Sequence, residues 1–175
     1  MKRTIWALLV FSVGWANAAT PFKKSLAEKQ NSFLNHGVFT GGEAGQGSSL
    51  LAVRHQFSMK TGFERVMVEL GDQNAKPAGR KMGFFQASLD SVQQRLVLNI
   101  SQLRLSKVSE QQVQRLFKRS PLVRSVEFTL DPEDKMATMV LNLKKPAKLE
   151  VFQQLADGKP ARIVMDLNPK PVVRR

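Results

Sequence analysis

Phe85-Gln86, followed ten residues on by Arg95-Leu96-Val97-Leu98-Asn99-Ile100, is echoed by Phe152-Gln153 and, again ten residues on, by Arg162-Ile163-Val164-Met165-Asp166-Leu167. The offset between the two runs is a constant 67. Upstream, Val53, His55 and Phe57 stand at the same distance before 65–70 as Val126, Phe128 and Leu130 stand before 138–143. The segment 71–80, with Pro77 and Gly79, is longer in the first copy. Alternating apolar residues bounded by turn formers predict strands at 51–57, 64–70, 83–89 and 95–100, and a second set at 124–130, 137–143, 148–155 and 162–167. Between the sets, Ser109 with Gln112 three residues later is a capping-box pattern, and Val113, Leu116 and Phe117 share a face, which predicts a helix over 109–118. Two half-buried antiparallel sheets hide their apolar faces by packing on each other. The expected fold is therefore all-β: a sandwich of two symmetric four-stranded sheets with one crossing α-helix, spanning 50–168 and built by internal duplication.

Outward from this domain, the chain begins Met1-Lys2-Arg3, runs through an uncharged apolar stretch from Thr4 to Trp15, and reaches Ala16-Asn17-Ala18. That order is the grammar of a secretory signal over 1–18, with cleavage expected after Ala18. The apolar stretch is well short of the roughly 20 residues that cross a bilayer, so no membrane anchor is expected after cleavage. An exported, periplasmic protein follows. The segment 19–49 is polar and ends in Gly41-Gly42-Glu43-Ala44-Gly45-Gln46-Gly47-Ser48-Ser49, which reads as a flexible basic and glycine-rich tether, with a short helix over 25–35 as an option. The residues 169–175 read as a basic tail.

The chain carries 27 Lys and Arg against 14 Asp and Glu, and no Cys. Removing Lys2 and Arg3 leaves 25 basic residues and a net charge of +11. A strongly cationic exported protein points to anionic partners, which outside the cytoplasm are wall polymers, lipid phosphates and acidic proteins rather than nucleic acid. Without Cys, thiol catalysis and thiolate metal sites are excluded. Only His36 and His55 offer imidazoles; His36 reads as a solvated linker residue and His55, in phase with Val53 and Phe57, as a core-edge histidine. Asp131, Glu133 and Asp134 could pair as carboxylates for glycoside cleavage, yet Asp131-Pro132-Glu133-Asp134 reads first as a hairpin loop, as does Asp157-Gly158. No catalytic residue, metal or cofactor is therefore expected. Both Trp residues lie in the signal and there is no Tyr, so the usual stacking platforms for sugar rings are missing from the mature chain. Binding by charge is better supported: Arg104, Lys107, Arg115, Lys118, Arg119 and Arg124 fall in and around the predicted helix with only Glu110 opposing them.

The run Met139-Val140-Leu141-Asn142-Leu143, then Lys148-Leu149-Glu150-Val151-Phe152, then Pro160-Ala161-Arg162-Ile163-Val164-Met165-Asp166-Leu167 resembles the AMIN domain, a non-catalytic module found ahead of bacterial N-acetylmuramoyl-L-alanine amidases and in type IV pilus secretins. Gly62-Phe63-Glu64-Arg65-Val66-Met67-Val68-Glu69-Leu70 is similar to a strand of the same family. The resemblance implies a two-sheet sandwich, a place in the cell envelope and binding of peptidoglycan, here as a stand-alone module. It maps the family's arginine onto Arg162, with Arg95 as its internal counterpart, and its closing acid onto Asp166. In a strand, Arg162 and Asp166 share a face, where an ion pair competes with ligand contact. The alternative partner is an envelope complex, such as a pilus or secretion machine, docked through a sheet edge or the basic tether.

Overall fold

The computed structural model describes residues 22–24 and 28–169. The signal at 1–18 and residues 170–175 of the basic tail lie outside the described residues. The strands are β1 (Phe22–Lys24), β2 (His36–Gly41), β3 (Ser48–Phe57), β4 (Glu64–Asp72), β5 (Phe85–Asp90), β6 (Arg95–Ile100), β7 (Leu103–Ser106), β8 (Val123–Asp131), β9 (Met136–Leu143), β10 (Ala147–Gln154) and β11 (Ala161–Pro169), with helix α1 (Glu110–Phe117) between β7 and β8. One sheet has the order β1-β2-β5-β6-β9-β8 and the other β10-β11-β4-β3-β7. Among the described residues the fold is an all-β sandwich with a single helix, as the alternation predicts.

Each half of the chain gives one hairpin to each sheet. The first half sends β3–β4 to the second sheet and β5–β6 to the first; the second half sends β8–β9 to the first and β10–β11 to the second. The central pairing then repeats with the sheets exchanged. Arg95 lies opposite Asn142 and Asn99 opposite Thr138 between β6 and β9, while Arg162 lies opposite Glu69 and Asp166 opposite Arg65 between β11 and β4. Even the irregularities correspond. The register of β3 slips between Leu50 and Ala52, and that of β8 slips between Val123 and Ser125, 73 positions later in each case. A four-stranded symmetric centre thus sits in each sheet, extended by β1 and β2 on one and by β7 on the other.

One equivalence read from the sequence fails. Phe85 pairs with Ile100, but Phe152 pairs with Val164, and the residue opposite Leu167 is Leu149. The structural counterpart of Phe85 is therefore Leu149, and Phe152 corresponds to Ser88. Four residues, 91–94, join the last pair of the β5–β6 hairpin, whereas seven, 155–161, join that of β10–β11. An odd number of extra residues turns every side chain of β10 to the opposite face. Phe85 and Leu149 enter the shared core, while Phe152, also buried, lies on the outer face of its sheet. The repeat within the fold rests on the pairing pattern and not on the Phe-Gln match.

The core is formed by Leu50, Val66, Val68, Leu70, Phe85, Leu96, Leu98, Leu141, Leu149, Ile163 and Met165, among others, all at most 1% exposed. Its two open sides are closed differently. On one, α1 packs between β8 and β3, with Val113 and Phe117 buried. Its start is as predicted: the Ser109 side chain accepts from the Gln112 backbone N–H and the Gln112 side chain accepts from that of Ser109. Leu116, expected on the buried face, is 38% exposed. On the other side, Leu34 pairs with Leu149 and packs against the core.

The tether is corrected from residue 28 onward. Residues 28–35 are not helical, and β2 adds to the edge of β5. Gly41 and Gly42 serve close approach rather than slack. A Cβ on Gly41 would lie 2.7 Å from the Phe85 ring, and Gly42 holds φ +74° against the Gly83 carbonyl.

Candidate functional site

Arg104, Lys107, Arg115, Lys118, Arg119 and Arg124 are all exposed. Arg104 stands on β7 with its side chain against Gly47, Lys107 on the connection into α1, Arg115 in the last turn of the helix, Lys118 at its C-cap, and Arg124 on the bulge of the edge strand β8. The helix positions follow from elementary electrostatics, because cations are favoured where unpaired carbonyls point out of a helix C-terminus. None of the six side chains is in an ion pair with the described residues. They surround one structural unit, the helix and the two strand edges it spans.

Within this face lies a cleft of about 370 Å³ between β3 and the helix. Leu51, Ala52 and Val53 form one wall, and Lys107, Val108, Gln112, Arg115 and Leu116 form the other. The cleft exists because β7 pairs with β3 only along 48–50 before the chain turns away into α1. The last bond of that contact runs from the Lys107 N–H to the Leu50 carbonyl at 2.9 Å.

The two remaining candidates are elsewhere. Arg95 is exposed on β6, at a hollow of about 500 Å³ on the outer face of the first sheet that also involves His36, Asp90 and Val97. Arg162 lies on the outer face of the second sheet, where Nε and Nη2 both reach Glu69 Oε1 at 2.9 Å. Its partner is thus across the strands and not Asp166 on its own strand.

That outer face carries two ionic rows absent from the sequence reading. Arg54 grips Glu69 from the other side, with Nε 3.1 Å from Oε1 and Nη2 3.2 Å from Oε2. Burial pushes the Glu69 carboxyl up, and the hydrogen bonds and charges of Arg54 and Arg162 more than offset this, so it titrates below the ordinary range. In the second row Asp166, fully buried, receives Arg65 Nε at 2.6 Å, Arg65 Nη2 at 2.8 Å and Lys29 Nζ at 2.6 Å. Next to it Glu150 Oε1 accepts the backbone N–H groups of Gln30 and Ser32. These bonds strap residues 29–32 onto the sheet. The signal was legible in principle: Arg65 and Glu69 on one strand, and Arg162 and Asp166 on the next, place opposite charges in register once antiparallel pairing is assumed.

The residues considered for catalysis are engaged structurally. His55 is buried as a side chain and stacks on Phe117 at 4.3 Å. Its Nδ1–H donates to the Leu116 carbonyl, which can only accept, so one proton must lie between Nε2 and Glu64 Oε2 across their 2.6 Å contact. Glu64 Oε1 accepts from the Ser120 hydroxyl and the Leu122 N–H. Ser120 thus addresses the carboxylate and not the imidazole, unlike a nucleophile and its base. Asp131 Oδ1 accepts the Glu133 and Asp134 N–H groups in an exposed turn, and Gly158 takes φ +69° in the β10–β11 loop. Among the described residues, no group of three or more His, Asp or Glu could hold a metal ion, and no helix is long and apolar enough to cross a membrane.

No protein-family model matches the chain, and comparison with curated proteins gives no match.

Proposed function

We propose that this protein is an exported, non-catalytic component of the cell envelope that holds an anionic wall polymer, peptidoglycan in the first instance, through the basic face around α1. One observation carries the reading: six exposed cations surround a single helix and none is in an ion pair with the described residues. Clustered cations outside ion pairs, opposed only by Glu110, attract an anionic polymer, and arginine forks suit its carboxylates. The resemblance to AMIN domains and the signal-like segment at 1–18 support the same compartment and ligand. With no Trp or Tyr in the described domain, contact with sugar rings contributes little, so charge dominates.

Co-sedimentation of the mature protein with purified sacculi across a salt series tests this. Binding at low ionic strength should fall steeply as the screening length contracts from about 10 Å at 0.1 M to about 3 Å at 1 M. Reversing Lys118, Arg119 and Arg124 together to Glu should remove most of it. No binding at low salt, or binding indifferent to salt, would defeat the proposal.

A further inference from the structure

The edge of β3 beyond Leu50 has no neighbouring strand among the described residues, although β4 occupies its other side throughout. Residues 48–50 already accept a parallel strand, β7. The chain then leaves the edge, and α1 meets β3 again only where His55 bonds the Leu116 carbonyl, so residues 51–53 form one wall of the 370 Å³ cleft and the helix with its lead-in forms the other. A strand edge facing a helix across a gap is the geometry in which an extended peptide adds to a sheet: backbone groups bond to the edge and alternate side chains enter the groove. The outer edge of β8, also beside α1, carries Glu127 and Asp131, which would repel the acidic occupant argued below.

The lining specifies the occupant. Leu51, Ala52, Val53, Val108 and Leu116 are apolar, Lys107 and Arg115 are cationic, and the wall contains no acid. The exposed Phe57 and Leu116, each 38% accessible, extend the apolar surface. From this we infer that the β3 edge and α1 together form a docking groove for an extended acidic polypeptide segment of a partner protein, with apolar residues alternating with carboxylates. It adds to the sheet where β7 ends. This partner is distinct from the wall polymer, and the groove works whether or not the outer cations hold that polymer.

The probe is a fluorescein-labelled ten-residue peptide of alternating valine and glutamate, titrated with the full mature chain and followed by anisotropy and by amide NMR. Saturable binding is expected, with the largest shifts at 51–57 and in α1. Methylating every second peptide nitrogen removes backbone donors and should weaken binding by about tenfold or more. Lys107→Glu with Arg115→Glu should weaken it comparably; both side chains are exposed, and unchanged thermal unfolding confirms that the variant folds. The inference is overturned if the peptide shows no saturable binding, if the N-methylated peptide binds equally well, or if the shifted amides lie on another face. It is equally overturned if 51–57 respond to soluble wall fragments and not to the peptide.

Discussion

Under α1, the first half of the chain places His55 and Glu64 where the second half places Phe128 and Ala137. The backbone frame is the same: His55 faces Val66 as Phe128 faces Met139, and Phe57 faces Glu64 as Leu130 faces Ala137. The second corner is filled by apolar side chains, with Phe128 and Ala137 at 3% and 1% exposure. The first is filled by a hydrogen-bonded network that ties β3 and β4 to the end of the helix and to the 120–122 turn. A duplicated frame therefore accepts either solution. The polar one is demanding, because each buried group must keep its partner, but it fixes where α1 ends.

The comparison can be broken most severely at Glu64. Glu64→Ala leaves His55 Nε2 and the Ser120 hydroxyl without their partner and the Leu122 N–H with only its 3.2 Å bond to Ser120 Oγ, and should cost about 3–5 kcal/mol in urea unfolding. Adding His55→Phe copies the identities of the second corner and should recover about 2 kcal/mol of that loss, since an apolar replacement needs no partners. If the double variant is less stable than Glu64→Ala alone, the two corners are not equivalent. Glu64→Gln should be milder than either, because its carbonyl still accepts from Ser120 and its amide donates to a neutral His55.

A second contrast separates the two phenylalanines. Phe85→Ala opens a cavity inside the closed core and should cost about 3–5 kcal/mol. Phe152→Ala, on the outer face beneath the Arg65 guanidinium 5.8 Å from its ring, loses mainly transfer energy, about 1.5–3 kcal/mol. Equal costs in denaturant unfolding would contradict the opposite facing of β5 and β10.

The smallest effect concerns the ionic rows. The folded-state titration of Glu69 lies below its ordinary value near 4.5. Its ion pairs therefore contribute stability above that pH, and the contribution is lost as the pH falls through the lower folded value. Half-exposed guanidiniums limit the magnitude to about 1 kcal/mol or less. Glu69→Gln should flatten that part of the stability profile between about pH 5 and 2 measured by urea unfolding. An unaltered acid limb would show that the pair with Arg54 and Arg162 adds nothing.

The candidate site was partly legible. The capping box at Ser109 located the helix, and the density of Arg and Lys around it located the basic face, because both signals are local. The cleft was not legible. It depends on β7 pairing with β3 for only three residues and then departing, a fact about two segments some fifty positions apart. Arg162 and Asp166 share a face, as strand alternation has it, but the structure joins Arg162 to Glu69 and Asp166 to Arg65, both on β4. Strand periodicity gives the face of a side chain, but the partner depends on which strand lies alongside.

Composition, alternation and turn residues alone determined that the domain is all-β and interrupted by one helix, because each depends on residues within about ten positions of one another. Pairing of β6 with β9 and of β11 with β4 is consistent with that pattern but is set by the packing of both halves. Tertiary structure decided the rest. It recruited His36–Gly41 as a strand, since glycines that look like a linker are also what a crowded sheet edge admits beside Phe85. It turned Phe152 away from the core, since three extra loop residues reverse a strand's faces without altering its alternation.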